Sequence, residues 1–306
     1  MKQFKSAKKG EWFEIVVPPQ WNSWTIEKLL KENWQVPKGL LHQWRMDKSV
    51  KVNGETLHWN SVLEENYRLQ IHLFKEEEYG VRPEPLPIEP IFEDEHLLIV
   101  NKPANMDTHP NQAGQGGTIA NAVAFHWQSQ GLSAKVRHIH RLDRDTTGGV
   151  VFAKHALSGA ILDRMLTSRA IKRTYAAFAH GLLKQKKGTV NAPIGRDRHH
   201  STRRRVSDRG DEAITHYQLL KLYGHHRISQ LELQLETGRT HQIRVHMSHI
   251  GHPLLGDTLY GGQSNLFPRQ ALHAARIQLP HPLTSEALDL TIPWPIDLQR
   301  LQESLN

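Results

Sequence analysis

Apolar residues recur along this chain with two periods, and the switches between them mark its elements. Trp24-Thr-Ile-Glu-Lys-Leu-Leu-Lys-Glu-Asn33 sets Ile26, Leu29 and Leu30 at helical spacing, with Thr25 in the capping place. Lys38 to Met46 carries Leu40, Leu41 and Trp44 on one helical face. Val50 and Val52 then alternate, and Asn53-Gly54 predicts a tight hairpin turn. Tyr67-Arg-Leu-Gln-Ile-His-Leu-Phe74 alternates as a further strand. Both periods stop at Lys75-Glu-Glu-Glu78, and a proline-rich run continues to Pro90. Prolines remove backbone donors and favour an extended chain, so residues 76–90 read as a linker. The pattern predicts a small α/β module over residues 1–75 (core about 23–75) and a larger domain over 91–306.

In the larger part, Ile91-Phe92, Leu97-Leu-Ile-Val100 and Val150-Val-Phe-Ala153 read as buried strands. Thr118 is placed to cap a helix that puts Ile119, Val123 and Trp127 on one face. A second helix is expected from Ala156 to about Ser168, with Leu157, Ile161 and Met165 inward. Tyr175 alternates with Ala177 and Ala179 along a strand, as Leu231 does with Leu233 and Leu235. Thr237-Gly238 then turns, and a helix begins near His241, with Gly251 and Pro253 ending it. Gly114-Gln-Gly-Gly117 completes no phosphate-loop pattern and reads as a flexible loop.

Composition narrows the class. A chain of 306 residues suits about two domains. Lys+Arg 39 against Asp+Glu 31 leaves a net charge of +8, which points to a polyanion partner. The absence of cysteine excludes disulfides, thiol catalysis and thiolate zinc sites. No apolar run is long enough for a membrane span and no signal peptide is visible, so the cytoplasm is expected. The 21 histidines include His138/His140 and His241/His246/His249/His252, but no acidic residue joins them in a ligand pattern. No metal is expected.

Chemistry concentrates in His138-Ile-His-Arg-Leu-Asp-Arg-Asp-Thr-Thr-Gly-Gly149. Asp143 stands between Arg141 and Arg144, with Asp145 two residues on. Flanking cations favour the ionised carboxylate, which suits a nucleophile or general base. Arg196-Asp-Arg-His-His-Ser-Thr-Arg-Arg-Arg205 is the densest basic run, and its guanidinium forks match phosphate oxygens.

The twelve-residue stretch resembles the HRLDxxTxG signature of the large RNA pseudouridine synthase family, which modifies ribosomal and transfer RNA. Further segments fit the same family. Asn101-Lys-Pro-Ala-Asn-Met-Asp-Thr-His-Pro110 resembles its NKPxG…HP segment, with Asn105 in place of the usual glycine. Lys172 to Tyr175 resembles its second motif, and Thr237-Gly-Arg-Thr-His-Gln-Ile-Arg-Val-His246 its third. Residues 23–75 resemble the small RNA-binding domain first seen in a small-subunit ribosomal protein, although Lys48-Ser49 stands where a glycine is usual. In Gly210-Asp211, aspartate replaces the family's lysine.

The resemblance implies an α+β fold, a mixed and largely antiparallel sheet with flanking helices beside the small module. It implies conversion of uridine to pseudouridine with no cofactor. It places the catalytic carboxylate on Asp143, the aromatic beside the target uracil on Tyr175, and the ion-pair partner of Asp143 on Arg239. RNA contacts are expected at Arg141, Arg144, Arg196, Arg198, Arg203, Arg204, Arg205, Lys102, His241 and Arg244. On the module they are expected at Lys38, Gln43, Arg45, Lys48 and Lys51. Asp143 acts either by attacking C1′ or by removing the 2′ proton; the sequence does not choose. Ribosomal RNA is the preferred target, transfer RNA the other, and a monomer is expected. Two further classes stay open: a non-catalytic RNA-binding or ribosome-assembly factor, and a hydrolase using Asp143 and Asp145 as a carboxylate pair.

Overall fold

The computed structural model describes residues 4–306. The N-terminal unit is a four-stranded antiparallel sheet in the order β1-β2-β4-β3, with β1 Ser6–Lys9, β2 Trp12–Val16, β3 Val50–Val52 and β4 Arg68–His72. Phe13, Ile15, Val50, Val52, Leu69 and Ile71 point to one side and are buried. Against that face lie a helical segment and helix α2, Lys38–Met46. The segment starts as α1, Ile26–Lys28, with Thr25 Oγ1 accepting from Lys28 N at 3.0 Å, and widens into a π turn over Leu29–Asn33.

Two expectations change here. The first hairpin, β1–β2, lies before residue 23 and supplies an inner strand of the sheet, so the unit's core starts earlier than expected. Asn53-Gly54 does form a tight turn with both φ angles positive, closed by Val52 and Glu55. The strand partner of β3 is nevertheless β4, because residues 58–63 instead return over the helical segment, with Ile26 N on Ser61 O and Leu63 N on Trp24 O. Lys48 takes the left-handed conformation at φ 51°, so the backbone bend survives without glycine.

The proline-rich segment is extended but lies against the larger unit. Tyr79, Val81, Leu86 and Ile88 pack on its core, and Asn121 Nδ2 donates to Arg82 O at 2.8 Å. The N-terminal unit is also anchored: Leu157, Ile161 and Leu283 join its core cluster, and the Arg164 guanidinium donates to the carbonyls of Trp34 and Gln35.

The larger unit is built on one ten-stranded sheet. Its path runs β10 (Lys187–Asn191), β13 (Ile214–Tyr223), β14 (Ile228–Leu235), β9 (Lys172–His180), β15 (Leu272–Pro280), β8 (Thr147–Ala153), β6 (Leu97–Lys102) and β5 (Pro90–Glu93). Strand β16, Ala287–Thr291, pairs with β15, and β7, Arg137–His138, with β8. A separate hairpin joins β11, Ile194–Arg196, to β12, Arg204–Val206, so the basic run forms its tip. Helices α3 (Ile119–Ser129), α4 (Ala156–Thr167), α5 (Gln242–His249) and α6 (Ile296–Ser304) flank the sheet. This is the expected α+β architecture. Thr118 caps α3 through a reciprocal box with Asn121, and Ile119, Val123 and Trp127 are fully buried.

One seam positions the site. All pairings in the large sheet are antiparallel except β15 with β8, which touch in parallel through His273↔Thr147 and Ala274↔Gly148. At this seam Gly148 has φ 115°, and a Cβ there would meet Ala274 O at 2.4 Å and Ala274 N at 2.5 Å. Backbone cannot yield as a flexible side chain can. Gly148→Ala should therefore cost about 3 kcal/mol in urea denaturation. Gly39→Ala, in open space on α2, should gain about 0.5 kcal/mol. Equal midpoints for the two variants would overturn this account of the seam.

Candidate active site

The loop entering β8 is held almost carbonyl by carbonyl. Thr108 Oγ1 donates to Leu142 O at 3.0 Å and accepts from Leu142 N at 3.0 Å. Lys102 Nζ donates to the carbonyls of Pro103, Met106 and Arg144 at 2.9, 2.7 and 2.9 Å. Arg269, gripped by Asp297, donates to Asp145 O at 2.8 Å. His140 is buried and its Nε2 accepts from Val151 N at 3.3 Å; burial keeps its pKa well below the ordinary value, so it is neutral. Asn105, at φ 58°, makes the neighbouring left-handed turn, and its N–H reaches Asp145 Oδ1 at 3.2 Å.

Two expectations are corrected by this loop. Lys102 was expected on RNA, but it is fully buried and its three donors are spent on three carbonyls. Burial pulls its pKa down to about 7 against the pull of Asp143, Asp145 and Asp107. The flanking arginines do not pair with Asp143 either. Arg141 reaches Thr240 Oγ1 at 2.6 Å and Arg144 reaches Asn105 Oδ1 at 2.7 Å, both exposed to solvent.

The cation on Asp143 is Arg244. Its Nη1 donates to Asp143 Oδ2 at 3.1 Å, while Nε and Nη2 grip the buried Asp257 at 2.7 and 2.8 Å. Burial opposes its charge, but Asp257 and then Asp143 more than offset this and raise its pKa above the ordinary arginine value. Arg244 is thus an internal ion-pair residue and not a surface RNA contact. Arg239, expected in this role, is exposed and its Nε donates to Glu212 O at 3.0 Å. The reason is positional: Arg239 lies in the turn before α5, whereas Arg244 is on the buried face of α5. His241 also faces the same carboxylate oxygen, with Nε2 3.9 Å from Asp143 Oδ2. Its backbone is left-handed at φ 59°, and Tyr260 Oη meets its Nδ1 at 2.8 Å while accepting from Arg204 N at 2.9 Å. Burial keeps His241 below its ordinary pKa. Among the described residues every contact of the Asp143 carboxylate runs to Oδ2, which leaves Oδ1 unengaged.

Two hollows meet at Asp143. A cleft of about 420 Å³ is bounded by Asp107, His109, Arg144, Arg204, Thr240 and Gln270, and a smaller hollow of about 60 Å³ by Arg173, Tyr175, Leu235, Arg239 and Leu272. Asp143, Arg141, His241 and Arg244 line both. Tyr175 is buried, and burial, with the Asp143 charge adding, raises its pKa. It keeps its proton at neutral pH. Leu233, Tyr175, Ala274 and Gly148 form one row across β14, β9, β15 and β8, which places Tyr175 beside the seam. Arg173, two residues earlier on β9, was missed. The signal was the strand alternation that also aligns Tyr175, Ala177 and Ala179.

The other expected RNA residues fall in two places. Arg196, Arg198, Arg203 and Arg205 are exposed on the β11–β12 hairpin, while Arg204 is half-buried and lines the cleft. Lys38, Gln43, Arg45, Lys48 and Lys51 lie on the N-terminal unit and line neither hollow. Arg45 stacks 4.4 Å over Trp59, and Lys51 sits 4.6 Å over Trp12. Asp145 has one oxygen held by the Asn105 N–H at 3.2 Å.

The profile described as RNA pseudouridylate synthase matches residues 96–249. The one described as RluD ribosomal pseudouridine synthase N-terminal domain matches residues 13–69. Uncharacterized RNA pseudouridine synthase YhcT of Bacillus subtilis (strain 168) is 47% identical over 293 residues, covering 96% of this chain and 97% of that protein. The chain belongs to the RNA pseudouridine synthase family. The synthase is 38% identical to Ribosomal large subunit pseudouridine synthase D of Vibrio parahaemolyticus serotype O3:K6, over 87% of this chain and 85% of that one. Its fold is shared with Human RNA Pseudouridylate Synthase Domain Containing 4, at TM-score 0.57 and 24% identity, over 71% and 92% of the two chains. The synthase is therefore an isomerase acting on RNA, which sets aside the hydrolytic carboxylate-pair reading.

The two candidate arginines separate cleanly. Arg244→Ala leaves Asp143 and the buried Asp257 unpaired, and should cost about 3 kcal/mol of stability. It should also cost about 100-fold or more in turnover through a misplaced carboxylate. Arg239→Ala should stay within about 0.5 kcal/mol of the parent. A larger stability loss at Arg239 than at Arg244, read by urea denaturation, would reverse the assignment of the ion pair.

Proposed function

We propose that this synthase converts specific uridines of ribosomal RNA to pseudouridine, with Asp143 as the catalytic carboxylate. The observation that carries this reading is the asymmetry of that carboxylate. Arg244 and His241 face Oδ2, and Oδ1 is left to meet a ribose beside the hollow that Tyr175 lines. An anchored anion with one free oxygen suits either attack on C1′ or removal of the 2′ proton. The ribosomal target rests on relatives named ribosomal large subunit pseudouridine synthase D.

A uridine stacked in a helix is out of reach, so it is flipped out at a cost of about a few kcal/mol. The basic hairpin and Arg204 offset that cost through phosphate contacts. Arg144, exposed beside Asp143 and tethered among the described residues only to Asn105, fills the vacated place in the stack with its guanidinium plane. Tyr175 bounds the uracil as a neutral phenol. The N-terminal unit adds RNA contacts through Lys38, Gln43, Arg45, Lys48 and Lys51. The synthase works as a monomer in the cytoplasm, where ribosomal RNA is found, and needs no cofactor. An RNA-binding factor without turnover would have no use for an aligned Asp143, Arg244 and Tyr175.

Asp143→Asn keeps the shape and removes the charge. It should lower pseudouridine formation by at least about 1,000-fold. The measurement is a carbodiimide map of pseudouridine in total RNA from cells with and without the gene. A signal lost with the gene and restored by wild type, but not by Asp143→Asn, is expected. Restoration by Asp143→Asn would remove Asp143 from the chemistry.

A further inference from the structure

Arg173 is a buried cation with nothing to neutralise it. It is 8% exposed, on β9, between strands β14 and β15. No carboxylate lies within 4 Å of its guanidinium among the described residues, and it makes no hydrogen bond to any of them. Its Nε is buried without a partner. Its Nη atoms lie along Gly238, where a Cβ would meet them at 3.5 and 3.6 Å. They border the hollow that holds Tyr175 and Asp143. The charge is felt by both buried neighbours: it counts among the influences that lower the pKa of His140, and it pulls down that of Tyr175. Every other arginine buried to this degree in the larger unit is gripped, Arg244 by Asp257 and Asp143, Arg269 by Asp297. Burying a guanidinium without a partner is costly in the free protein, so a site that keeps one is built for a ligand that supplies the missing acceptor.

We propose that Arg173 is a catalytic residue that donates to a carbonyl oxygen of the flipped-out uracil and holds the negative charge of the detached base. This rests on the proposed reaction at Asp143. When the C1′–N1 bond breaks, its electron pair leaves with N1. In one route an Asp143 oxygen bonds to C1′; in the other, Asp143 takes the 2′ proton and the sugar forms a 1′,2′ double bond. By either route the base becomes a uracil anion with its charge spread over N1, O2 and O4. A planar donor pair bordering the hollow strengthens its bonds as that charge develops, which is the condition for lowering a barrier and not merely binding substrate. In the first route C5 of the anion bonds to C1′ as the Asp143–C1′ bond breaks and its electron pair returns to the carboxylate; in the second C5 bonds to C1′ of the double bond as Asp143 returns its proton to the 2′ carbon. Either way the base is then neutral, and moving the C5 proton to N1 completes pseudouridine. Arginine also sorts bases: a carbonyl facing it is accepted, while the exocyclic amine of cytosine there would place donor against donor.

The test is Arg173→Met, which keeps the stem and removes the charge, with Arg173→Lys beside it. Without RNA, Arg173→Met should melt about 3 °C higher than wild type, because it removes an unpaired buried charge. On transcribed large-subunit ribosomal RNA its turnover should fall about 100-fold with KM changed less than about threefold. Arg173→Lys, which restores a charge, should recover about tenfold of that loss. The same RNA made with 5-fluorouridine carries a better leaving base, so the defect in the first bond-breaking step should shrink severalfold there. A melting temperature that falls, or turnover by Arg173→Met equal to wild type, overturns the assignment. Melting is read without substrate. A wild-type protein that modified no RNA would therefore count against the proposed reaction, and a lowered melting temperature against Arg173 alone.

Discussion

The Arg244 guanidinium, shared between Asp143 and Asp257, is the contact on which the rest of the site depends. It joins three segments that are distant in the chain: the loop before β8, helix α5, and the turn that follows α5. Asp257 is fully buried and Arg244 nearly so, so neither charge is tolerable without the other. Asp143 is a quarter exposed and is the member most open to solvent. The bidentate grip on Asp257 fixes the guanidinium plane, and that plane in turn fixes one oxygen of Asp143. A carboxylate held this way presents its second oxygen in a single direction, which is what preorganisation requires.

The loop carrying Asp143 could not serve that purpose if its backbone moved. It has little regular structure, so its carbonyls need partners from elsewhere. Lys102, Thr108 and Arg269 provide them, each from a different element. This explains why a lysine sits at the end of a buried strand. Three carbonyl acceptors match the three donors of an ammonium group, and the nearby Asp143, Asp145 and Asp107 favour its charge, against the cost of burial. The residue acts through the backbone it holds.

The sequence was most informative where one residue type has one local use. Thr118 caps a helix, and Tyr175 with Ala177 and Ala179 faces one side of a strand; each was legible from its neighbours alone, whereas the left-handed turn at Asn105 stands where the family motif has glycine. The fold class and the Asp143 loop followed from long motifs. What was not legible depends on distance in space. Arg239 and Arg244 are both basic residues of one motif, and only the turn of α5 decides that the second faces Asp143. Lys102 looks like a surface cation until its carbonyl partners are placed. The β1–β2 hairpin was not legible because Trp12-Phe-Glu-Ile-Val16, apolar at four of five positions, carries no clean alternation and lies before the helical pattern that marks the module. The proline-rich segment was read as an extended linker, and it is extended; what it lies against was not legible, since composition says nothing about the surface an extended chain packs on.

The anchoring of the N-terminal unit bears on target choice. A unit on a free tether adds affinity wherever its linker reaches. Here the unit shares a hydrophobic cluster with Leu157 and Ile161 of α4, and Arg164 binds the carbonyls of Trp34 and Gln35. Glu77 N also reaches Ser133 O, and Arg137 pairs with Glu77, so the start of the connecting segment is tied to the larger unit too. Its basic side chains therefore stand at set distances from Asp143. On the proposed reading, in which these side chains contact RNA and Asp143 acts on a flipped uridine, an RNA satisfies both only if its own fold holds a phosphate track at that separation from the uridine. Sequence near the uridine then matters less than the shape around it, because phosphate contacts position a nucleic acid without reading its bases.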